Sequence, residues 1–321
     1  MRLSLALAMS LVASSAASDF LLQVPVACSV GADCHIQNYF DHLPSEAAQD
    51  YRCGALSYDG HKGTDFALPT LAEMRAGVDV LAAAPGVVRG VRDGMADVRH
   101  APENAAAIAK RECGNGVVIA HEDGWETQYC HMRQGTVRVS SGERVPAGAV
   151  LGKVGLSGKT QFPHLHLSVR KDGRPVDPFV PGGPMDCTAP TDDLWAGTLD
   201  YQAGGLLSVG FSDEIPDYAV VLDGTAARTD LSTRAPALVL FGLAFGGRAG
   251  DVMRLEVSGP QGMIFVQDVI LEKTQAQVYR ASGRRLTESQ WQSGTYTGTV
   301  DLLRHGMSIS RKTISIRIGT E

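Results

Sequence analysis

The chain has 321 residues, 44% of them apolar and 20% charged, with a formal net charge of -6. That length accommodates two domains of ordinary size, and the composition is that of a globular protein. No basic stripe offsets the acidic balance, which argues against nucleic acid as a partner.

The first residues, MRLSLALAMSLVASSAAS, place one arginine ahead of an apolar run from Leu3 to Ala13 and small residues from Ser14 to Ser18. This is the pattern of a cleaved export signal over residues 1–17. A membrane span needs roughly 20 apolar residues, so the run is too short for an anchor, and no later segment is suited to crossing a bilayer. The expectation is a periplasmic or secreted protein with no integral membrane segment after signal cleavage. Its six cysteines, Cys28, Cys34, Cys53, Cys113, Cys130 and Cys187, are an even set suited to disulfides in that setting. No CxxC pair points to metal ligation by cysteine.

Residues 18–53 form a polar, irregular N-terminal segment, with a short helix expected around Ser45 to Tyr51. Over residues 54–184 the pattern changes to short β-rich runs closed by Gly, Asp-Gly or Pro-Gly. Within them HEDGWETQYCH reads as a hairpin turning at Asp123-Gly124. Pairing about that turn brings Cys113 nearly opposite Cys130 and predicts a disulfide between them. For the other four, of the three pairings open, Cys28–Cys34 with Cys53–Cys187 is the expectation. Residues 95–113 form an insertion whose alanine-rich half is expected to be helical. A linker is expected over 185–197, where prolines, glycines and acids cluster. Residues 198–321 contain further strand-like, turn-separated runs that suit a small β-sandwich-like domain. The fold class expected is mainly β, an antiparallel sheet domain followed by that sandwich. If the sandwich is independent, a chain cut after about Pro184 should still fold.

Three short stretches carry the chemistry. In HKGTD, His61 and Asp65 would lie about 13 Å apart on a straight strand, and Gly63 can supply a bend that brings both to one centre. Alone, this pair is a weak signal, because such pairs are often simply exposed. In HLH, His164 and His166 project from one strand face roughly 6.6 Å apart, with Leu165 and Leu167 turned to the core. His131, in YCHM, lies on the return strand of the hairpin, with Tyr129 expected on the same face. Zinc accepts imidazole and carboxylate, and catalytic zinc sites use three protein ligands and an open position. His61, Asp65 and one histidine of HLH make such a set, and spacing leaves open whether it is His164 or His166. The spare imidazoles suit proton transfer and oxyanion stabilisation in amide hydrolysis.

HKGTD, YCHM and HLH, in that order on glycine-turned strands, resemble the lysostaphin/LytM-type peptidoglycan zinc metallopeptidases from about Tyr58 to Pro178. The resemblance implies a largely antiparallel sheet with one Zn2+ per chain in a groove. It implies His61, Asp65 and His166 as metal ligands and His131 and His164 as the catalytic pair. The implied activity is hydrolysis of peptide cross-links of bacterial peptidoglycan by attack of a zinc-bound water. Phe162 stands where the family usually shows glycine, and Leu167-Ser168 where an aromatic and an acid are usual. Two rival functions are a non-catalytic wall-binding regulator of other wall hydrolases and a secreted protease acting on glycine-rich proteins. The segment CHIQNYFDH is a candidate cover for the groove, and the sequence names no protein partner for the C-terminal block. His121 is a minor candidate for contact with substrate or with a ligand. His35, His42, His100 and His305 have no partner spacing and are expected in solvent, and Trp195 and Trp291 in the core.

Overall fold

The computed structural model describes residues 20–182, 187–188 and 192–319, so the expected export signal and part of the expected linker lie outside the described residues. The first half of the chain forms β1 (His35–Asn38), β2 (Thr64–Ala67), α1 (Leu71–Ala76), β3 (Asp79–Leu81) and β4 (Gly86–Arg92). It continues through α2 (Ala105–Ile108), β5 (Asn115–Ala120), β6 (Trp125–Met132), β7 (Arg144–Val145), β8 (Val150–Lys153), β9 (His164–Lys171) and β10 (Arg174–Val176). The second half forms β11 (Gly205–Ser212), α3 (Tyr218–Asp223), β12 (Asp230–Ser232), β13 (Ala237–Gly247), β14 (Val252–Gly259) and β15 (Gly262–Ile270). It ends with β16 (Gln275–Arg285), β17 (Gly294–Arg304) and β18 (Met307–Gly319).

The main sheet runs β1-β2-β9-β6-β5-β4-β7, with β10 paired to β9, and all its pairings are antiparallel. Strand alternation decides which face is which. Leu165, Leu167 and Val169 of β9 enter the core, together with Tyr129 of β6 and Val117 and Ile119 of β5. The other face carries His164, His166 and Ser168 of β9. The hairpin β5–β6 turns through Glu122–Gly124, as the Asp123-Gly124 pair predicts.

The second half is a sandwich of a three-stranded sheet, β11-β13-β16, and a five-stranded sheet, β12-β18-β17-β14-β15. Leu238, Leu240 and Ala244 of the smaller sheet pack on Leu255, Val300 and Ile316 of the larger in one buried cluster. The same small sheet also turns residues the other way. Leu207, Phe241, Leu243 and Phe245 belong to the core that Phe66, Leu165 and Tyr129 build under the first sheet. The two halves therefore meet through buried apolar contact. In the expected linker region, Leu194 and Ala196 are hydrogen-bonded to Leu22, and Trp195 is buried. Trp291 is buried too, and its indole donates to the Ala235 carbonyl.

All six cysteines are paired, as Cys28–Cys34, Cys53–Cys187 and Cys113–Cys130. The insertion contains only a short helix, Ala105–Ile108, preceded by a 3-10 turn at Pro102–Asn104. The helix expected around Ser45 to Tyr51 does not form. Acids organise the surrounding loop instead: Asp41 accepts from the amides of Leu43 and Gln49, and Asp50 from those of Arg52, Gly54 and Leu56. Two histidines expected in solvent are also not there. His35 is buried against Phe245, and His42 is bonded to Asp177 at 2.7 Å.

Candidate metal centre

β2 and β9 pair with Asp65 opposite His166 and Ala67 opposite His164, so the carboxylate and the HLH imidazoles share one sheet face. His61 lies just before β2, after a turn in which its amide bonds to the Tyr58 carbonyl. This turn replaces the 13 Å of a straight strand with direct contact: His61 Nε2 is 3.1 Å from Asp65 Oδ1. Gly63 serves a different purpose from the one expected. Its φ is not positive, but a Cβ there would stand 2.6 Å from the His166 ring and from the Leu167 carbonyl. Glycine is needed for space, so that β9 can bring His166 close.

Three candidate ligand atoms converge. His166 Nδ1 lies 3.1 Å from His61 Nε2 and 2.8 Å from Asp65 Oδ1. His164 stands further off, its Nε2 3.5 Å from the same oxygen. Zinc with nitrogen and carboxylate ligands at about 2.0–2.2 Å sets its donor atoms only slightly farther apart than this, so the trio suits such an ion. Lone-pair chemistry agrees. His61 Nδ1 is 2.7 Å from the Tyr39 carbonyl, which can only accept, so that nitrogen carries the proton and Nε2 is bare. In the neutral ring, a bare nitrogen facing a carboxylate oxygen at 3.1 Å is completed either by a cation or by a second proton between them.

The electrostatics agree as well. Burial works to raise the Asp65 carboxyl, yet His61 and His164 hold it well below the usual carboxylate range. Burial works to lower His61, but the Asp65 charge and its hydrogen bond outweigh that and raise it, drawing positive charge to this point. The His166 imidazole is lowered, chiefly by burial, and its Nε2 is 2.9 Å from Ser168 Oγ.

His131 reaches the same face by an irregularity that its sequence does not announce. Tyr129 opposes Leu167, which puts it on the core face, where it is buried and accepts at its hydroxyl from the Ala83 amide. It therefore does not share a face with the site, contrary to expectation. In a regular strand His131 would follow it into the core. Instead, Cys130 and His131 together oppose Gly116 alone, a bulge, and His131 has φ 62°. Its ring stands 4.6 Å from that of His164. The bulge is braced: the His131 amide donates to the Cys113 carbonyl, and Cys113 is joined to Cys130. His131 Nδ1 is 2.8 Å from the Ser157 carbonyl, and His164 Nδ1 is 3.0 Å from the Phe162 carbonyl. Both acceptors fix the proton on Nδ1 and leave Nε2 bare. Burial, with His164 and His166 beside it, lowers His131 well below the ordinary imidazole range.

The five predicted residues thus form one cluster, buried except for partly exposed His166. His121 is not in it; its two nitrogens engage the Pro85 carbonyl and Thr127 on the core side. The segment around CHIQNYFDH does not lie over the cluster but pairs edge to edge with β2. Sequence reasoning missed the carbonyls of Tyr39, Ser157 and Phe162, for which no sequence signal exists, and missed Ser168 and Asn38.

The profile of peptidase family M23 matches residues 59–178. The peptidoglycan DD-endopeptidase ShyA of Vibrio cholerae is 31% identical over 134 residues, 42% of this chain and 26% of ShyA. The DD-carboxypeptidase/endopeptidase Mpg of Neisseria meningitidis is 34% identical over 125 residues, 37% of this chain and 22% of Mpg. The chain thus spans about a quarter of the length of these relatives. Among solved structures, the catalytic domain of the prophage-encoded M23 protein EnpA from Enterococcus faecalis aligns at 26% identity over 48% of this chain and 96% of that one, with a TM-score of 0.34. Over residues 59–178, this chain is therefore similar to peptidase family M23.

Proposed function

We propose that the chain is an exported zinc metalloendopeptidase that hydrolyses peptide cross-links of bacterial peptidoglycan, the DD-endopeptidase activity named for its relatives. The observation that carries this reading is the convergence of His61 Nε2, Asp65 Oδ1 and His166 Nδ1 within 4.8 Å of one another. His61, Asp65 and His166 would hold the ion. A zinc ion there supplies Lewis acidity, polarising a carbonyl and making water acidic near neutral pH.

The chain's own residues do the rest. His131 and His164 present bare Nε2 atoms, held in that tautomer by the Ser157 and Phe162 carbonyls. One takes up the proton of the attacking water and returns it to the leaving amine; the other, protonated from solvent before the attack, donates to the developing oxyanion. A neutral His131, kept so by burial, is suited to the first task. Phe162 stacks on His164 at 4.4 Å and limits how that ring can turn. Export belongs to the same reading, supported by the three disulfides.

Digestion of purified peptidoglycan, followed by mass spectrometry of the released muropeptides, tests it. Scission of cross-links, lost on chelation and restored by zinc, is the expected result. An unchanged muropeptide profile with zinc-loaded protein would reject hydrolysis in favour of wall binding, and cleavage of casein or elastin alone would reassign the substrate.

A further inference from the structure

We propose that Asn38 is a positioning residue of the metal centre, holding Asp65 so that only one carboxylate oxygen is free to bind the ion. The inference rests on the metallopeptidase reading and extends the site beyond residues 59–178, the stretch that matches the family.

The two oxygens of Asp65 have different partners. Oδ1 faces the imidazoles, at 3.1 Å from His61 Nε2 and 2.8 Å from His166 Nδ1. Oδ2 accepts from Asn38 Nδ2 at 2.9 Å. A carboxylate can grip a metal with one oxygen or both. A charge-assisted bond from an amide stabilises the electron pairs of Oδ2 where they are and opposes rotation of the group to a two-oxygen grip. With Asp65 supplying one atom, three protein ligands leave a coordination position for water and substrate, as a catalytic zinc site requires.

Asn38 reaches Asp65 through local backbone irregularity. Ile36 opposes Phe66 and Asn38 opposes Asp65, so β1 spends two residues where β2 spends one. The extra residue is Gln37, whose amide donates elsewhere, to the Ala276 carbonyl. A regular strand would have placed Gln37 opposite Asp65. The same stretch also holds His61: the Tyr39 carbonyl takes its Nδ1 proton, and the Asp41 amide donates to its carbonyl. Residues 38–41 thus act on two of the three ligands, a role opposite to that of a removable cover.

The test uses the full chain stripped of metal and titrated with Co2+, whose visible absorption strengthens in four-coordinate sites and weakens when a further ligand is added. Asn38→Leu removes the amide at nearly constant size, and Asn38→Ala is the second variant should leucine fit badly; melting of the metal-free proteins checks that each is folded. The expected result is a Co2+ affinity lowered about 10–100-fold, the scale for losing a group that orients a ligand. A weaker absorption band should accompany it, as Asp65 turns its second oxygen to the metal. Unchanged affinity and spectrum in folded variants would overturn the role of Asn38 alone. Lowered affinity with an unchanged band would overturn the one-oxygen claim. If the unmutated protein took up no Co2+, the metallopeptidase reading itself would fail, a distinct outcome.

Discussion

In the C-terminal sandwich, Arg304 and Asp251 form a buried pair that closes on itself, whereas the buried polar residues under β2, β6 and β9 leave lone pairs pointing at one another. Arg304 donates to both Asp251 oxygens, at 3.0 and 2.7 Å, and to the carbonyls of Ala203 and Gly246. Each of these donors meets an acceptor, so the cluster is a structural clasp. Around His61 the partners are chosen differently: backbone carbonyls take the outer Nδ1 protons of three histidines, and the inner nitrogens are left bare. Burial is similar in the two places. What separates a site from a clasp is whether its hydrogen-bonding capacity is spent or reserved.

The contrast can be broken from either side. The largest effect is expected at the ligands: His61→Ala, Asp65→Ala and His166→Ala should purify with zinc far below one per chain and lose turnover, read by metal analysis and muropeptide release. Next in size is the clasp. Arg304→Met strands the Asp251 carboxylate in the sandwich and should lower stability by about 3–5 kcal/mol, seen in denaturant melts, while the surviving folded protein keeps its metal. A variant that lost zinc instead would show that the two clusters are coupled. Smaller in energy is the loss of one proton-transfer group. His131→Ala and His164→Ala should keep near-stoichiometric zinc while turnover falls about 100-fold or more. Zinc lost from His164→Ala but kept in His166→Ala would exchange their roles.

The smallest effect concerns His35, buried at the junction of the halves and belonging to neither cluster. Burial lowers its pKa to about 4 from 6.5. A group held neutral in the fold contributes stability that is complete above pH 6.5 and is lost as pH falls toward 4. The loss by pH 5 should be about 2 kcal/mol, and Asn in place of His35 should remove this part of the acid sensitivity. Identical pH profiles for the two proteins would assign that sensitivity elsewhere.

Much of this was legible in the sequence where side-chain spacing alone determines position. HLH on a strand must share a face, and the Asp123-Gly124 turn sets a register that places Cys113 beside Cys130. The illegible parts depend on the backbone. His131 and Asn38 both face the cluster only because a strand carries an extra residue, and neither bulged strand has a glycine at that point to advertise it. Tyr129 was misplaced for the same reason, since two-residue periodicity fails across a bulge. The tautomers were hidden because carbonyls from Tyr39, Ser157 and Phe162 do the fixing, and any residue type supplies a carbonyl. His42 was misread because its partner, Asp177, is distant in the chain.

The small sheet β11-β13-β16 gives one face to each core, and this ties the first half of the chain to its sandwich. A cut after residue 184 would strip Phe241, Leu243 and Phe245 from the core under the first sheet and leave Gln37 without the Ala276 carbonyl. The segment recognised as a family is therefore shorter than the piece that can be transplanted. Moving only the recognised stretch out of this chain would leave behind the apolar face of β11-β13-β16 that completes its interior.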